Sequence, residues 1–267
     1  MIRDITIGQY YPADSILHRL DPRTKLMGTL IFIISVFLFH TIPGYAVATI
    51  FLAALIKISK VPVKFIFKGL KAIFVILIIT MLFNIFLTPG EVIWKLGFLK
   101  MTKEGISLAV RMAIRLIYLV IGSSLMTLTT TPNQLTDGLE RGLRPLNRLH
   151  VPVHEISMMM SIALRFIPIL LEETDKIMKA QIARGADFEN GNLIQKVKNM
   201  VPLLVPLFIS AFRRANDLAM AMEARCYHGG EHRTQMKPLC YEKRDHAAYL
   251  ILAAYLAVAI TFRVVGI

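Results

Sequence analysis

Apolar residues in this chain are concentrated in long runs. Leu26 to Phe39 is almost wholly apolar, extends through His40, Thr41 and Ile42, and meets a break at Pro43-Gly44. Tyr45 to Ile58, Leu70 to Leu87 (closed by Thr88-Pro89-Gly90), Ile106 to Leu128 and Ala247 to Val265 repeat the pattern. Crossing a bilayer as a helix takes ~17–25 mainly apolar residues, so the runs predict about five spans, the second being the shortest.

Between the fourth and fifth runs the pattern changes to amphipathic. Thr131, Pro132 and Gln134 read as N-cap, first helical position and third position of a capping box, opening a short helix to about Gly142. A second helix is predicted from about Val153 to Arg184. Its stripe is Ile156, Met159, Met160, Ala163, Ile167, Leu170, Leu171, Ile177 and Met178, with Arg165, Glu172, Glu173, Lys176 and Lys179 on other faces. Gly185 stops it. A third runs from about Leu193 to Arg225 with the stripe Ile194, Val197, Val201, Leu204, Val205, Phe208, Ile209 and Phe212, kinked at Pro202 and Pro206. Gly229-Gly230 ends the region. The apolar stretch Met200 to Phe212 is short for a span, and Arg165 sits in the middle of Ile156 to Leu171. Both helices are therefore read as lying outside the bilayer. The alternative, that both cross it, would put Arg184 and Arg225 on opposite sides.

Charge gives the orientation. Arg19, Arg23 and Lys25 precede the first run, and Lys57, Lys60, Lys64, Lys68 and Lys71 are read as filling the loop between the second and third, while the loop between the first two runs has no Lys or Arg. The positive-inside rule then puts the N-terminus in the cytoplasm, the block from Thr129 to Asp245 in the cytoplasm and the C-terminus outside. Lys95, Lys100 and Lys103, on the outer loop from Thr88 to Gly105, run mildly against this. The net charge of +13 and the 55% hydrophobic content fit the same picture. The basic residues cluster at span ends rather than in a stripe interleaved with aromatics, which excludes a nucleic-acid partner. Met1 to Leu20 is mixed and polar, with no cleavable signal peptide expected. Cys226 and Cys240 form no CxxC and have no histidine cluster, so neither a disulfide framework nor a metal site is expected.

The candidate chemistry is a repeated tripeptide. Ala183-Arg184-Gly185 and Ala224-Arg225-Cys226 each close an amphipathic helix, 41 residues apart. A basic residue near a helix C-terminus complements the dipole. Two identical tips could also fit two equivalent pockets, because the planar arginine fork binds carboxylates bidentately and small neighbours allow close approach. Arg111 and Arg115, four residues apart on the fourth run, either point into the bundle or lie before a span that starts near Ile114. His150 and His154 flank Pro152 without an HExxH, so no metal site is expected. Glu172, Glu173 and Asp175, followed by Lys176 and Lys179, read as a solvated, salt-bridged face. Met158, Met159 and Met160 suit either an adaptable binding surface or ordinary packing. There is no GxxxxGK[ST] loop, and no span carries a paired carboxylate or a nucleophile with its base, so an intramembrane enzyme is disfavoured. A self-sufficient secondary transporter remains as an alternative, with Arg111 and Arg115 its only ionisable candidates in the spans.

The chain resembles the transmembrane T component of energy-coupling factor transporters, importers of vitamins and trace metals. The resemblance covers essentially the whole chain. It rests on Gly8-Gln9-Tyr10, on His18-Arg19-Leu20-Asp21-Pro22-Arg23-Thr24-Lys25-Leu26 before the first span, and on the two Ala-Arg-small motifs, Cys226 replacing the usual glycine. It implies an all-α integral membrane protein with about five transmembrane helices plus a cytoplasmic coupling block of long amphipathic helices. Residues 1–25 would be a cytoplasmic segment, 26–128 four spans, 129–245 the coupling helices and 246–267 the last span. The implied role is a non-catalytic scaffold in a bacterial cell membrane. It would bind no cofactor itself; two ATPase partners, which carry ATP and Mg, would receive Arg184 and Arg225. A substrate-binding membrane subunit would meet the apolar stripes, including Met158 to Met160.

Overall fold

The computed structural model describes residues 10–39, 41–96, 99–186, 188, 192–229, 236 and 238–265. The elements, in order, are α1 (Pro22–Leu38), α2 (Ile42–Ser59), α3 (Val63–Leu87), a β-hairpin of β1 (Val92–Leu96) and β2 (Leu99–Thr102), α4 (Lys103–Thr129), α5 (Pro132–Leu143), a 3₁₀ turn (Arg144–Leu149), α6 (Val153–Ala183), α7 (Leu193–Ala224) and α8 (Lys243–Val265). The chain divides into two compact units, one made of Gly8–Leu139 and Leu239–Ile267, the other containing Glu140–Pro238.

In the first unit α4 packs along α3 and against α1, and α1 packs against α8. The centre is Phe32, Val36 and Phe39 of α1 and its vicinity, Ala48 and Leu52 of α2, and Tyr255 and Ala259 of α8. Phe51 stacks on Tyr255 with ring centroids 4.2 Å apart. The Tyr255 hydroxyl lies 2.8 Å from Ser35 Oγ, which donates in turn to the Phe32 carbonyl at 2.7 Å. A buried tyrosine hydroxyl in an apolar bundle needs such a partner. In the second unit α6 packs against α7.

The all-α reading of an integral membrane protein holds. Among the described residues α4, α6 and α8 are long and apolar enough to cross a membrane, and α3 joins them if its two halves, bent by 56° between Lys71 and Ile73, count as one span. α1 is 17 residues long, and α2 falls in a shorter class. The first apolar run is divided differently from its sequence reading. Phe39 is extended, so α1 ends at Leu38, and Ile42 belongs to α2. Pro43 sits in the first turn of α2, where a missing N–H leaves no bond unmade, so it starts a helix rather than merely ending one. α3 begins at Val63, taking Lys64 and Lys68 onto the helix. By length and composition α6 also qualifies as a span despite Arg165. The segment between α3 and α4 contains an antiparallel hairpin that the run-based reading missed, pairing Lys95 with Lys100 and Leu96 with Leu99. Its signal was the alternation Leu96, then Leu99-Lys100-Met101-Thr102, about a two-residue connection starting with glycine.

Candidate functional site

Both arginine motifs form the same helix terminus. At the end of α6, Arg184 is the C-cap; the Gly185 N–H donates to the Ile182 carbonyl at 2.9 Å and the Ala186 N–H to the Gln181 carbonyl at 3.0 Å. At the end of α7, Arg225 is the C-cap; the Cys226 N–H donates to Glu223 at 2.9 Å and the Tyr227 N–H to Met222 at 3.0 Å. This paired pattern is a Schellman motif, which needs a left-handed residue after the cap. Gly185 has φ +88° and Cys226 φ +55°. The small third residue therefore has a local cause: glycine is at ease there, and Cys226 accepts some strain. Both arginine side chains are exposed, and neither makes an ion pair among the described residues.

α6 and α7 are pinned where they cross. Arg214 Nη2 donates to Glu173 Oε2 at 2.6 Å, and Gln181 Nε2 to the Pro202 carbonyl at 3.2 Å. Moving forward along α6 from Glu173 to Gln181 thus moves backward along α7 from Arg214 to Pro202, so the helices run antiparallel. Glu173 precedes Arg184 by eleven residues, and Arg214 precedes Arg225 by eleven. The ion pair is therefore equidistant from both tips, ~16 Å of helix rise from each, and the tips point to opposite ends of the pair. The 41-residue interval between the two motifs is the same as that between the paired residues. The sequence reading put Glu173 on a solvated, salt-bridged face beside Lys176 and Lys179; its ion pair is instead with Arg214 across the crossing.

Much of the two stripes read from the sequence is exposed in this chain. On α7, Phe208 is 63% and Phe212 66% exposed, beside Leu204, Val205 and Ile209 along an open groove of about 760 Å³. On α6, Met159 is 59% exposed, Ile156 and Met160 are exposed and Met158 is half-buried. Such an apolar face demands cover by lipid or protein. α6 and α7 also contain Pro168, Pro202 and Pro206 in their interiors, the first not singled out from sequence. At its start α6 is held by Glu140: His154 Nδ1 lies 2.9 Å from Glu140 Oε1, and Ser157 Oγ donates to Glu140 Oε2 at 3.1 Å. His154 is thereby an anchor. No group of three potential metal ligands occurs among the described residues. The capping box opening α5 is formed, with Gln134 N–H donating to Thr131 Oγ1 at 3.3 Å and Thr131 N–H to Gln134 Oε1 at 3.2 Å.

The signature before α1 is a structural knot; Gly8 and Gln9 lie outside the described residues. Asp21 Oδ1 accepts from the Arg23 N–H at 2.9 Å, and the Arg23 guanidinium grips both carboxylate oxygens at 3.0 and 2.9 Å. Arg23 also donates to the Leu239 carbonyl at 3.2 Å and lies 3.9 Å over the Tyr241 ring. The Asp21 N–H donates at 2.8 Å to Asp245 Oδ1, while Asp245 Oδ2 accepts from the Glu242 N–H at 2.9 Å. Asp245, 2% exposed, thus occupies the electropositive first turn of α8. Lys25 Nζ donates to the His18 carbonyl at 3.0 Å and to the Thr129 carbonyl at 2.9 Å, satisfying the end of α4; the Tyr11 N–H covers Leu128 at 2.9 Å. His18 Nε2 lies 3.0 Å from the Tyr11 carbonyl and Nδ1 2.7 Å from Ser15 Oγ. A carbonyl only accepts, so Nε2 carries the proton and the serine hydroxyl donates to Nδ1.

Arg115 also has a structural post. It donates to the Phe39 carbonyl and reaches the Tyr45 hydroxyl, both at 3.4 Å, while Arg263 reaches the Leu38 carbonyl at 3.4 Å. Two cations thus close the electronegative end of α1.

Comparison with known proteins shows the family. A family model described as cobalt transport protein, CbiQ, matches residues 13–236. The energy-coupling factor transporter transmembrane protein EcfT of Clostridium kluyveri is 54% identical over 266 residues, covering 99% of this chain and 98% of the relative. The protein of the same name from Ruminiclostridium cellulolyticum is 58% identical, with 92% of each chain covered. That from Bacillus subtilis is 47% identical, covering 96% of this chain and 98% of the relative. The chain belongs to the energy-coupling factor transporter transmembrane protein family. As a member it is a transport subunit within a multi-subunit membrane assembly rather than a catalytic enzyme. The matched region includes both arginine tips and their crossing.

Proposed function

We propose that this chain is the coupling scaffold of an ATP-driven importer for a vitamin or trace metal. Arg184 and Arg225 each dock on one subunit of an ATPase pair that carries the ATP and Mg. The exposed stripes of α6 and α7, with Met158 to Met160, seat a substrate-binding membrane subunit. ATP-driven closure of the ATPases moves the tips, and the crossed helices carry that motion to the seated subunit. The observation that supports this reading is the pair of identical Schellman-capped arginine tips, equidistant from one ion-paired crossing. A rigid lever needs both its ends defined and its pivot fixed. In this scheme the N-terminus and residues 129–245 are cytoplasmic, the C-terminus lies outside, and the membrane is the bacterial cell membrane.

The test is co-purification in mild detergent. The wild-type chain should retain both ATPase subunits, Arg184→Ala or Arg225→Ala should weaken retention, and the double change should abolish it. Full retention by the double variant would refute docking through the tips. Topology is checked by single cysteines at Lys179 and Lys196, with Cys226 and Cys240 replaced. An impermeant reagent added outside intact cells should leave both unlabelled, and labelling of both would sink the cytoplasmic placement.

A further inference from the structure

The turn from α2 into α3 carries a positive charge that no carboxylate near it in the chain balances. Lys57 and Lys60 lie at the end of α2, and Lys64, Lys68 and Lys71 on the first half of α3; all five are exposed. No Asp or Glu occurs between Asp21 and Glu91. None of the five lysines makes an ion pair among the described residues.

The first half of α3 has three faces. Ile66 is buried among Val61, Leu125 and Leu128 and fixes the helix to the bundle. Gly69 closes on α4, where a Cβ would stand 2.9 Å from Ser124 Oγ. Lys64, Lys68 and Lys71, four and three residues apart, share the face opposite Ile66. Val63 and Phe67 form an exposed apolar flank beside them, continued by Phe74. Beyond the 56° bend, Ile73–Leu87 rises only ~22 Å even when upright, short of the ~30 Å hydrocarbon core. The core therefore reaches into the first half of α3. Because the bend lays that half over, Lys64 and Lys71 differ in depth by only about 6 Å. Three ammonium groups thus sit at the hydrocarbon edge at nearly one level, their stems running along apolar surface. Lipid phosphates are the anions found at that depth.

We propose that the start of α3 is a binding surface for anionic phospholipids. Lys64, Lys68 and Lys71 hold the headgroup phosphates, and the acyl chains lie against Val63, Phe67 and Phe74. Lys57 and Lys60 add to the field from the end of α2. Basic clusters at the end of a membrane helix attract anionic headgroups by this chemistry. The apolar flank beside the lysines, continuous with the lipid-facing part of α3, favours a lipid over a soluble acidic partner. A choline headgroup brings its own cation to the same place and is held less well.

The experiment uses the full chain carrying Trp94→Phe and Phe67→Trp, so that its one tryptophan stands beside the three lysines. It is reconstituted in phosphatidylcholine vesicles containing brominated phosphatidylglycerol or brominated phosphatidylcholine, whose quenching of the tryptophan reports which lipid occupies the surface. Expected is at least a threefold preference for phosphatidylglycerol, at least halved when NaCl is raised from about 0.05 to about 0.5 M. Lys64→Gln, Lys68→Gln and Lys71→Gln together should bring the preference close to one. Arginine at the same three positions should preserve it, with helix content unchanged in both variants. Lysines that serve only to orient the chain in the membrane would give equal quenching by the two lipids. That result, or a preference that persists in the folded glutamine variant, would overturn the proposal.

Discussion

Cys226 shows what a single residue contributes at a helix tip. It occupies the left-handed position that Gly185 fills in the other motif, at φ +55°. Cys226→Gly should stabilise the end of α7 by about 1 kcal/mol, since glycine has no Cβ to strain there. Gly185→Ala should weaken the end of α6 by a similar amount. Slower hydrogen exchange at Tyr227 in the first variant and faster exchange at Ala186 in the second would check both. The tripeptides were legible from sequence, and Gly185 read as a helix stop, but the same left-handed role for Cys226 was not: without dihedral angles, a small cysteine reads as room for a partner. His18 carries a second prediction. Burial lowers its pKa, as does the nearby Lys25 charge, against the raising effect of the Tyr11 carbonyl. The folded state therefore resists protonation more than the unfolded state does. Its contribution is complete above the ordinary histidine value near 6.5 and is lost as pH falls below it. Exchange protection of Tyr11 to Leu20 should drop between pH 7.5 and 5.5, and the drop should shrink in His18→Asn.

Among the elements, the long amphipathic helices were the most legible. α6 and α7 fall within a residue of the boundaries expected from their stripes and terminal motifs, because a 3.6-residue period sustained over 31 and 32 residues is a strong signal. The Glu173–Arg214 pair was not legible, since nothing local distinguishes a crossing carboxylate from a solvated one. The β-hairpin was missed because charges interrupt its short alternation. The crossing gives a prediction of its own. Glu173 and Arg214 are both partly exposed, so the pair itself adds little to stability. Its larger effect should be on geometry. Glu173→Ala and Arg214→Ala should each lower transport per ATP hydrolysed while moving the thermal midpoint little. The exchanged pair Glu173→Arg with Arg214→Glu should recover most of the loss. No recovery in the exchanged pair would show that the crossing is held by packing alone. The Asp21 knot is the opposite case. Asp21 and Arg23 are largely buried, so Asp21→Ala leaves Arg23 unpaired and should cost on the order of 3 kcal/mol, read as a lower unfolding midpoint.

For the molecule as a whole, the run of apolar segments showed a helical membrane protein, and the comparisons show the family. Span boundaries were less legible: Pro43 reads as a break but opens a helix, and α1 is shorter than its apolar run. The signature before α1 was recognised as a string of residues. Its work, tying α1, α4 and α8 together at one end, depends on partners more than a hundred and more than two hundred positions away, which no local pattern shows. The central claim is that both tips transmit force from ATPases to a seated subunit. It is tested most directly by substrate uptake and ATP hydrolysis measured together in proteoliposomes of the complete transporter. Each single arginine-to-alanine change at Arg184 or Arg225 should reduce uptake at least fivefold, and the double change should reduce it to background, with folding of the chain unchanged. Normal uptake by the folded double variant would contradict the account.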